Sequence, residues 1–276
     1  MTSDVAYASE QAVQDKQQAL REAKEAIAGP VPLIEDAPDP TLVLPRGLFH
    51  SGVWERDVVC RELTGIDEEQ LAKAKTPYDY FSTVLALGVV QIGTFDLSPY
   101  SIPERQHFLG DLLIGEREQI FLKIVQVSFG NDREINFKCQ SCGTDQDVTL
   151  LLDTDFKPAE VENVEATTLE HTTSKGDVLT YRGALGGDQE AVMDKKGLSV
   201  AEQNTMMISR CVTKCNGELI PDPMGYARSL PMRDRSKILD LIVARQPQID
   251  LNVTTTCVAC AVPQTLGLGW RDFFRT

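Results

Sequence analysis

Four cysteines in two identical spacings, Cys139-x-x-Cys142 and Cys257-x-x-Cys260, carry the most specific chemistry in the chain. A two-residue gap lets two thiolates face one ion from a single backbone turn. A second such pair completes a tetrahedral sulfur set, which suits Zn²⁺. The pairs lie far apart in sequence, so a shared ion would tie the middle of the chain to its C-terminus. Four thiolates leave no open coordination position. The expected cofactor is therefore a structural Zn²⁺ held by Cys139, Cys142, Cys257 and Cys260, not an ion that activates water.

The segments around the two pairs align. KCQSCGTDQDVTLLLDTDF runs from Lys138 to Phe156, and TCVACAVPQTLGLGWRDFF runs from Thr256 to Phe274. With the cysteines superposed, Gln146 meets Gln264, Val148 meets Leu266, Leu150 meets Leu268 and Phe156 meets Phe274; upstream, Ile135 meets Val253. Around the first pair apolar residues alternate with polar ones at period two, the signature of a β-strand. Each unit reads as strand, cysteine knuckle, strand and aromatic residue, and the two together predict hairpins that share one ion. Gly143 can adopt the left-handed conformation that turns amides toward the sulfurs. Ala261 holds the matching place, so the second knuckle is expected to be the less ideal one. Two alternatives stand beside this reading. The pairs could remain apart, or one could be a redox CxxC, although no βαβ pattern surrounds either.

Other chemical candidates are weaker. His50, His107 and His171 are scattered and form no i, i+4 ligand pair. Cys60, Cys211 and Cys215 read as small apolar packing residues. Glu160, Glu162 and Glu165 read as a solvated face. The glycine cluster at residues 183–187 lacks dinucleotide-binding spacing and reads as a loop. No G-x-S-x-G, H-E-x-x-H, Walker A or deaminase motif occurs. No catalytic or cofactor-binding set is legible, so an enzyme is not expected.

The composition narrows the setting. The 276-residue chain carries a formal net charge of −14, and its pI is about 4.7. Its basic residues are interleaved with carboxylates, which disfavours phosphate-backbone binding. The acidity reads either as a means of solubility or as a surface for a complementary basic protein partner. No apolar run approaches a membrane span, and the N-terminus lacks the pattern of a secretory signal. Seven cysteines, an odd count, fit reduced thiols better than a disulfide framework.

These residues must be positioned by an α+β fold, with a helical N-terminal half joined to a C-terminal half that holds the two zinc-knuckle hairpins. Residues 1–45 read as an arm: a helix over 6–28, then a proline-dotted tether. Residues 46–133 read as a mainly helical domain. A short strand over 53–63 precedes helices over 67–75, 77–90, 103–114 and 119–130. Residues 134–276 read as an α+β domain containing the zinc ribbon. Its further strands are expected over 159–165 and 177–182, with helices over 200–213 and from Pro231 to Arg245. Ser199 and Glu202 form a capping box, and Asn216-Gly217 signals a hairpin turn.

Several stretches occur in a suggestive order: LTGIDEEQL (63–71), LLIGEREQIFLKI (112–124), FKCQSCG, LTYRGALGGDQEAV (179–192), then CVAC and a terminal WRDFF. This order, over residues 48–276, resembles the baseplate and tail-hub protein family of T-even-type contractile-tailed phages. The resemblance implies a non-enzymatic part of a tail tip or baseplate, or a factor that helps build it. Its partners would be other phage tail or baseplate proteins, not nucleic acid or membrane. It would reside in the virion, or in the host cytoplasm during assembly. The competing reading is a zinc-ribbon adaptor for nucleic acid or transcription machinery.

Overall fold

A computed structural model describes Gln18 and residues 38–274 apart from Lys196. The expected helix over 6–28, Gln18 apart, and the tether up to residue 37 lie outside the described residues. From Pro38 onward the chain forms one unit, and its element order is a repeat.

The first half opens with strands β1 (Thr41–His50) and β2 (Val53–Cys60), then helices α1 (Gly65–Leu71) and α2 (Pro77–Gly88). Strands β3 (Val89–Ile92) and β4 (Phe95–Asp96) follow, then α3 (Ile102–Leu109) and α4 (Ile114–Phe129). The half closes with the hairpin β5 (Asp132–Lys138) and β6 (Asp145–Leu151). The second half runs through the same order. It contains β7 (Leu169–Thr172), β8 (Val178–Tyr181), α5 (Gly186–Met193) and α6 (Val200–Cys211). Then come β9 (Val212–Cys215), β10 (Glu218–Leu219), α7 (Pro223–Ser229), α8 (Met232–Val243) and the hairpin β11 (Asn252–Thr256) with β12 (Pro263–Gly267). Each half builds a four-stranded antiparallel sheet of the same order, β1-β2-β3-β4 and β7-β8-β9-β10.

The correspondence reaches single bonds. Arg61 makes a two-pronged ion pair with Asp67 at 2.7 and 2.8 Å, and Arg182 makes the same pair with Asp188 at 2.5 and 3.0 Å. Asp67 and Asp188 each sit in the first turn of the helix after the opening hairpin, and each accepts from the N-cap amide at 2.8 Å. The Arg61 amide donates to the last carbonyl of α2, Gly88, and the Arg182 amide to the last carbonyl of α6, Cys211. A register shift falls beside this arginine in both sheets, between Val59 and Cys60 and between Thr180 and Tyr181. In the first turn of the fourth helix, Glu116 accepts from the amides of Arg46 and Gly47, and Asp234 from the amide and hydroxyl of Ser174. A carboxylate thus fastens the opening hairpin to the fourth helix in each half.

The larger apolar core gathers around α2 and α4, where Val84, Leu85, Ile120, Phe121, Ile124 and Val125 are fully buried. A Cβ on Gly88 would come within 2.5 Å of Ile124 Cδ1, so glycine lets the two helices approach. The smaller core lies in the second half, around Leu179, Ile208, Cys211 and Ile238. The aromatic C-terminus crosses to the first half. A 3-10 turn over Trp270–Phe274 sets Trp270 against Phe81 and Phe121, with ring centroids 5.2 and 5.0 Å apart. In the other direction, Pro158 bridges Ile249, and the Ala159 amide donates to Gln248 O.

The mixed helix and sheet class agrees with expectation, but the helical N-terminal half does not. That half holds a four-stranded sheet. Its first strand begins inside the expected tether, at Thr41, and buries Leu44 and Leu48. An irregularity between Val43 and Leu48, around Pro45-Arg46-Gly47, breaks the period-two pattern that would have revealed the strand. Strand β3 was expected as the end of a helix; Gly88 ends α2, and the β-branched Val89-Val90 pair continues extended. The strand expected over 159–165 is absent. Residues 162–166 are held instead by the buried Arg245 guanidinium, which donates to the carbonyls of Glu162, Asn163 and Ala166 at 2.6–2.9 Å. The glycine cluster expected as a loop opens α5. Strand β7 and helix α7 were not anticipated, whereas the hairpin turn expected at Asn216-Gly217 joins β9 to β10.

Candidate metal centre

The two closing hairpins present their turns to one another. Their registers match residue for residue: Ile135 pairs with Val148 as Val253 pairs with Leu266, and Phe137 with Gln146 as Thr255 with Gln264. Alternation turns one side of each strand inward and lifts both cysteine pairs onto the connecting turns. The turns fold alike. The Gly143 amide donates to Cys139 O and the Ala261 amide to Cys257 O, both at 2.9 Å. Cys139 N donates to Thr144 O at 2.9 Å, and Cys257 N to Val262 O at 3.1 Å. Gly143 has φ 73°, and Ala261 adopts the same left-handed region at φ 58°. Ala261 therefore does not change the shape of the second knuckle; it forms the same turn at a cost of about 1 kcal/mol in steric strain.

The four sulfurs converge, all within 4.8 Å of one another. Across the halves, Cys139 Sγ lies 3.8 Å from Cys260 Sγ, and Cys142 Sγ lies 3.6 Å from Cys257 Sγ. Four sulfurs about 2.3 Å from a central ion would stand about 3.8 Å apart at tetrahedral angles. The donor set and its spacing therefore fit a four-coordinate thiophilic ion, and all seven cysteines are free thiols. Cys139 and Cys257 are buried, while Cys142 and Cys260 reach toward solvent.

The electrostatics also favour a cation. The Cys260 amide, assisted by the Ala259 amide, draws the Cys257 thiol down to about 6. The hydroxyl and amide of Thr144 draw Cys142 down. The Val262 amide acts in the same sense on Cys260, yet burial and the three facing sulfurs push that thiol up to about 12. Without a cation, then, the cluster resists full ionisation because its negative charges crowd one another.

Two glutamines extend the reciprocity beyond the sulfurs. Gln146 Oε1 accepts from the Val258 amide at 3.0 Å, and Gln264 Oε1 accepts from the Gln140 amide at 3.2 Å. Both glutamines are 8% exposed. Each stands on the second strand of its own hairpin and satisfies the other hairpin's turn. This exchange of equivalent contacts is what a two-fold relation produces.

The remaining candidates stay apart from the cluster. His50 stacks on Phe95 with centroids 4.2 Å apart, and no histidine joins a metal-ligand group among the described residues. Cys60 and Cys211 are buried in the two apolar cores, and Cys215 Sγ lies 3.5 Å from Tyr226 Oη. Glu160, Glu162 and Glu165 are exposed, and Glu165 pairs with Arg56 at 3.3 Å. The wider repeat was missed at the level of sequence, yet it left a signal. Arg61-x3-Gly65-x-Asp67-x-Glu69 recurs as Arg182-x3-Gly186-x-Asp188-x-Glu190.

Comparison with known proteins adds one finding. The family model of the T4 bacteriophage base plate protein matches residues 54–275, from the opening hairpin to the aromatic C-terminus. Neither a curated protein nor a solved structure matches the chain. The match takes in both halves and both cysteine pairs, and the chain therefore belongs to the T4 bacteriophage base plate protein family.

Proposed function

We propose that this protein is a structural or assembly component of a phage tail baseplate or hub, acting through protein–protein contacts, with its two halves clamped by one structural Zn²⁺. The observation that carries the reading is the four-sulfur cluster shared between the halves of a baseplate-family chain. Cys139, Cys142, Cys257 and Cys260 would hold the ion. When bound, zinc supplies charge neutralisation and a cross-link between distant segments, and no open position for substrate. The chain's own residues do the rest. Gln146 and Gln264 cap the partner turns, and the backbone amides around each knuckle orient the sulfurs.

A structural role also fits the family and the sequence, in which no set of nucleophile, base and oxyanion donors is legible. The alternative, an adaptor for nucleic acid or transcription machinery, would require cationic surface, and a net charge of −14 works against it. No described helix is long and apolar enough to cross a membrane. Residence in the tail, or in the host cytoplasm during assembly, follows from the baseplate reading. The test is quantitative mass spectrometry of purified particles and of assembly intermediates. Recovery of the chain at fixed stoichiometry with baseplate proteins is expected in one or both. Recovery only with nucleic acid or transcription machinery would overturn the reading.

A further inference from the structure

The two knuckles share one backbone but differ at the exposed turn. Where the first carries Gln140, Ser141, Gly143 and Thr144, the second carries Val258, Ala259, Ala261 and Val262. All eight residues are solvent-exposed, Val258 at 84% and Val262 at 39%. The first knuckle therefore acts as an internal control: this turn and its sulfur geometry form with no apolar side chain at any of the four aligned exposed positions. Apolarity at the second tip is not needed for folding. Ala261 makes the point sharply, because it keeps a side chain in a backbone conformation that glycine adopts without strain. The surroundings differ too. Residues 251–269 contain no charged residue, whereas the first hairpin carries Asp132, Arg133, Glu134, Lys138, Asp145 and Asp147.

We infer that the tip of the second knuckle, Val258, Ala259, Ala261 and Val262, is a docking site that inserts into a small aliphatic socket on another protein of the tail assembly. The absence of charge matches an apolar protein surface. It offers nothing to phosphate, whether of nucleic acid or of an anionic headgroup. The tip lacks the aromatic and basic residues that anchor proteins at a membrane interface. Mounting the valines on the cysteine turn presents them in a fixed conformation, so little ordering cost opposes binding. The inference takes its class of partner from the baseplate reading and does not depend on which metal is bound.

The test uses the full chain with a photo-crosslinking amino acid at Val258 or, as the aligned control, at Gln140, irradiated in cells assembling tails. Adducts to a tail protein from position 258, at least about tenfold above those from position 140, are expected. A second variant transplants the first knuckle's residues: Val258→Gln, Ala259→Ser, Ala261→Gly and Val262→Thr. It should keep metal content and a Tm no lower than that of the wild type, since Ala261→Gly relieves strain, yet enter tail assemblies about tenfold less. Equal crosslinking at the two positions, or unchanged incorporation of the transplanted variant, would overturn the docking site while leaving the baseplate reading intact. Adducts only to a second copy of the chain, or binding of the wild type to phosphatidylcholine–phosphatidylglycerol vesicles that the transplant abolishes, would also overturn it. Adducts only to proteins outside the tail would refute the baseplate reading itself.

Discussion

Gln146 and Gln264 satisfy each other's half of the molecule: each carboxamide oxygen accepts an amide hydrogen from the opposite cysteine turn, at 3.0 and 3.2 Å. The arrangement makes the sulfur cluster an interface between two copies of one structural plan. A shared ion there would act at long range, because it would join segments more than a hundred residues apart.

The glutamines yield the first prediction. Gln146→Leu and Gln264→Leu each leave a half-buried amide without its partner, so each should lower stability by about 1 kcal/mol. Chemical denaturation of the two variants measures this. Because the contacts are equivalent, the two losses should be similar. No loss in either would mean that the turns find other partners.

Ala261 offers a gain. Ala261→Gly should relieve left-handed strain and raise stability by about 0.5–1 kcal/mol, while Gly143→Ala should cost about the same. A Cβ on Gly143 would meet nothing closer than Lys138 Cε at 3.8 Å, so its cost is conformational and not a clash. Thermal melts of the two variants beside the wild type decide both signs.

The paired arginine–aspartate motif predicts unequal costs. Asp188 is 2% exposed at its side chain and pairs with two arginines, Arg182 and Arg210, whereas among the described residues Asp67 pairs with one, Arg61. Asp188→Ala should cost about 2–3 kcal/mol, because it leaves the largely buried Arg182 without its carboxylate while the more exposed Arg210 turns to water, and Asp67→Ala clearly less. Arg61 holds the Asp67 carboxyl down at about 2, from an ordinary 3.8. Its contribution is therefore present above pH 3.8 and is lost as pH falls through about 2. An acid titration of stability should flatten in this window in Asp67→Asn.

Glu118 has the opposite sign. Burial pushes its carboxyl up to about 7 against the Ile249 amide, which donates to it at 3.1 Å. Ionisation is thus harder in the folded protein. Stability should decline as pH rises from about 4.5 through 7. Glu118→Gln keeps an acceptor for Ile249, so it should be more stable than wild type at pH 8 and nearly equal at pH 5. Equal stability at both values would show that the carboxylate is solvated.

Much of this was legible in the sequence. The two CxxC spacings and the aligned glutamines marked the sulfur cluster and its repeated hairpins, because ligand spacing and period-two alternation are local properties. The duplication that runs from β1 to β12 was harder to read. Its halves keep the arginine–aspartate motif, but their strands differ in length: β1 has ten residues and β7 four. The irregularity around Pro45-Arg46-Gly47 hid β1, and Arg245 holds residues 162–166 by contacts no local pattern reveals. The destination of the C-terminal aromatics on Phe81 and Phe121 depends on packing between halves, which a linear pattern does not encode.

Native mass spectrometry of the purified chain tests the shared ion most directly. One zinc per chain is expected, and Cys139→Ser and Cys257→Ser should each abolish it, lowering Tm by on the order of 10 °C. A metal-free wild type, or a variant that keeps its zinc after losing a cysteine from one pair, would contradict a single ion held between the two halves.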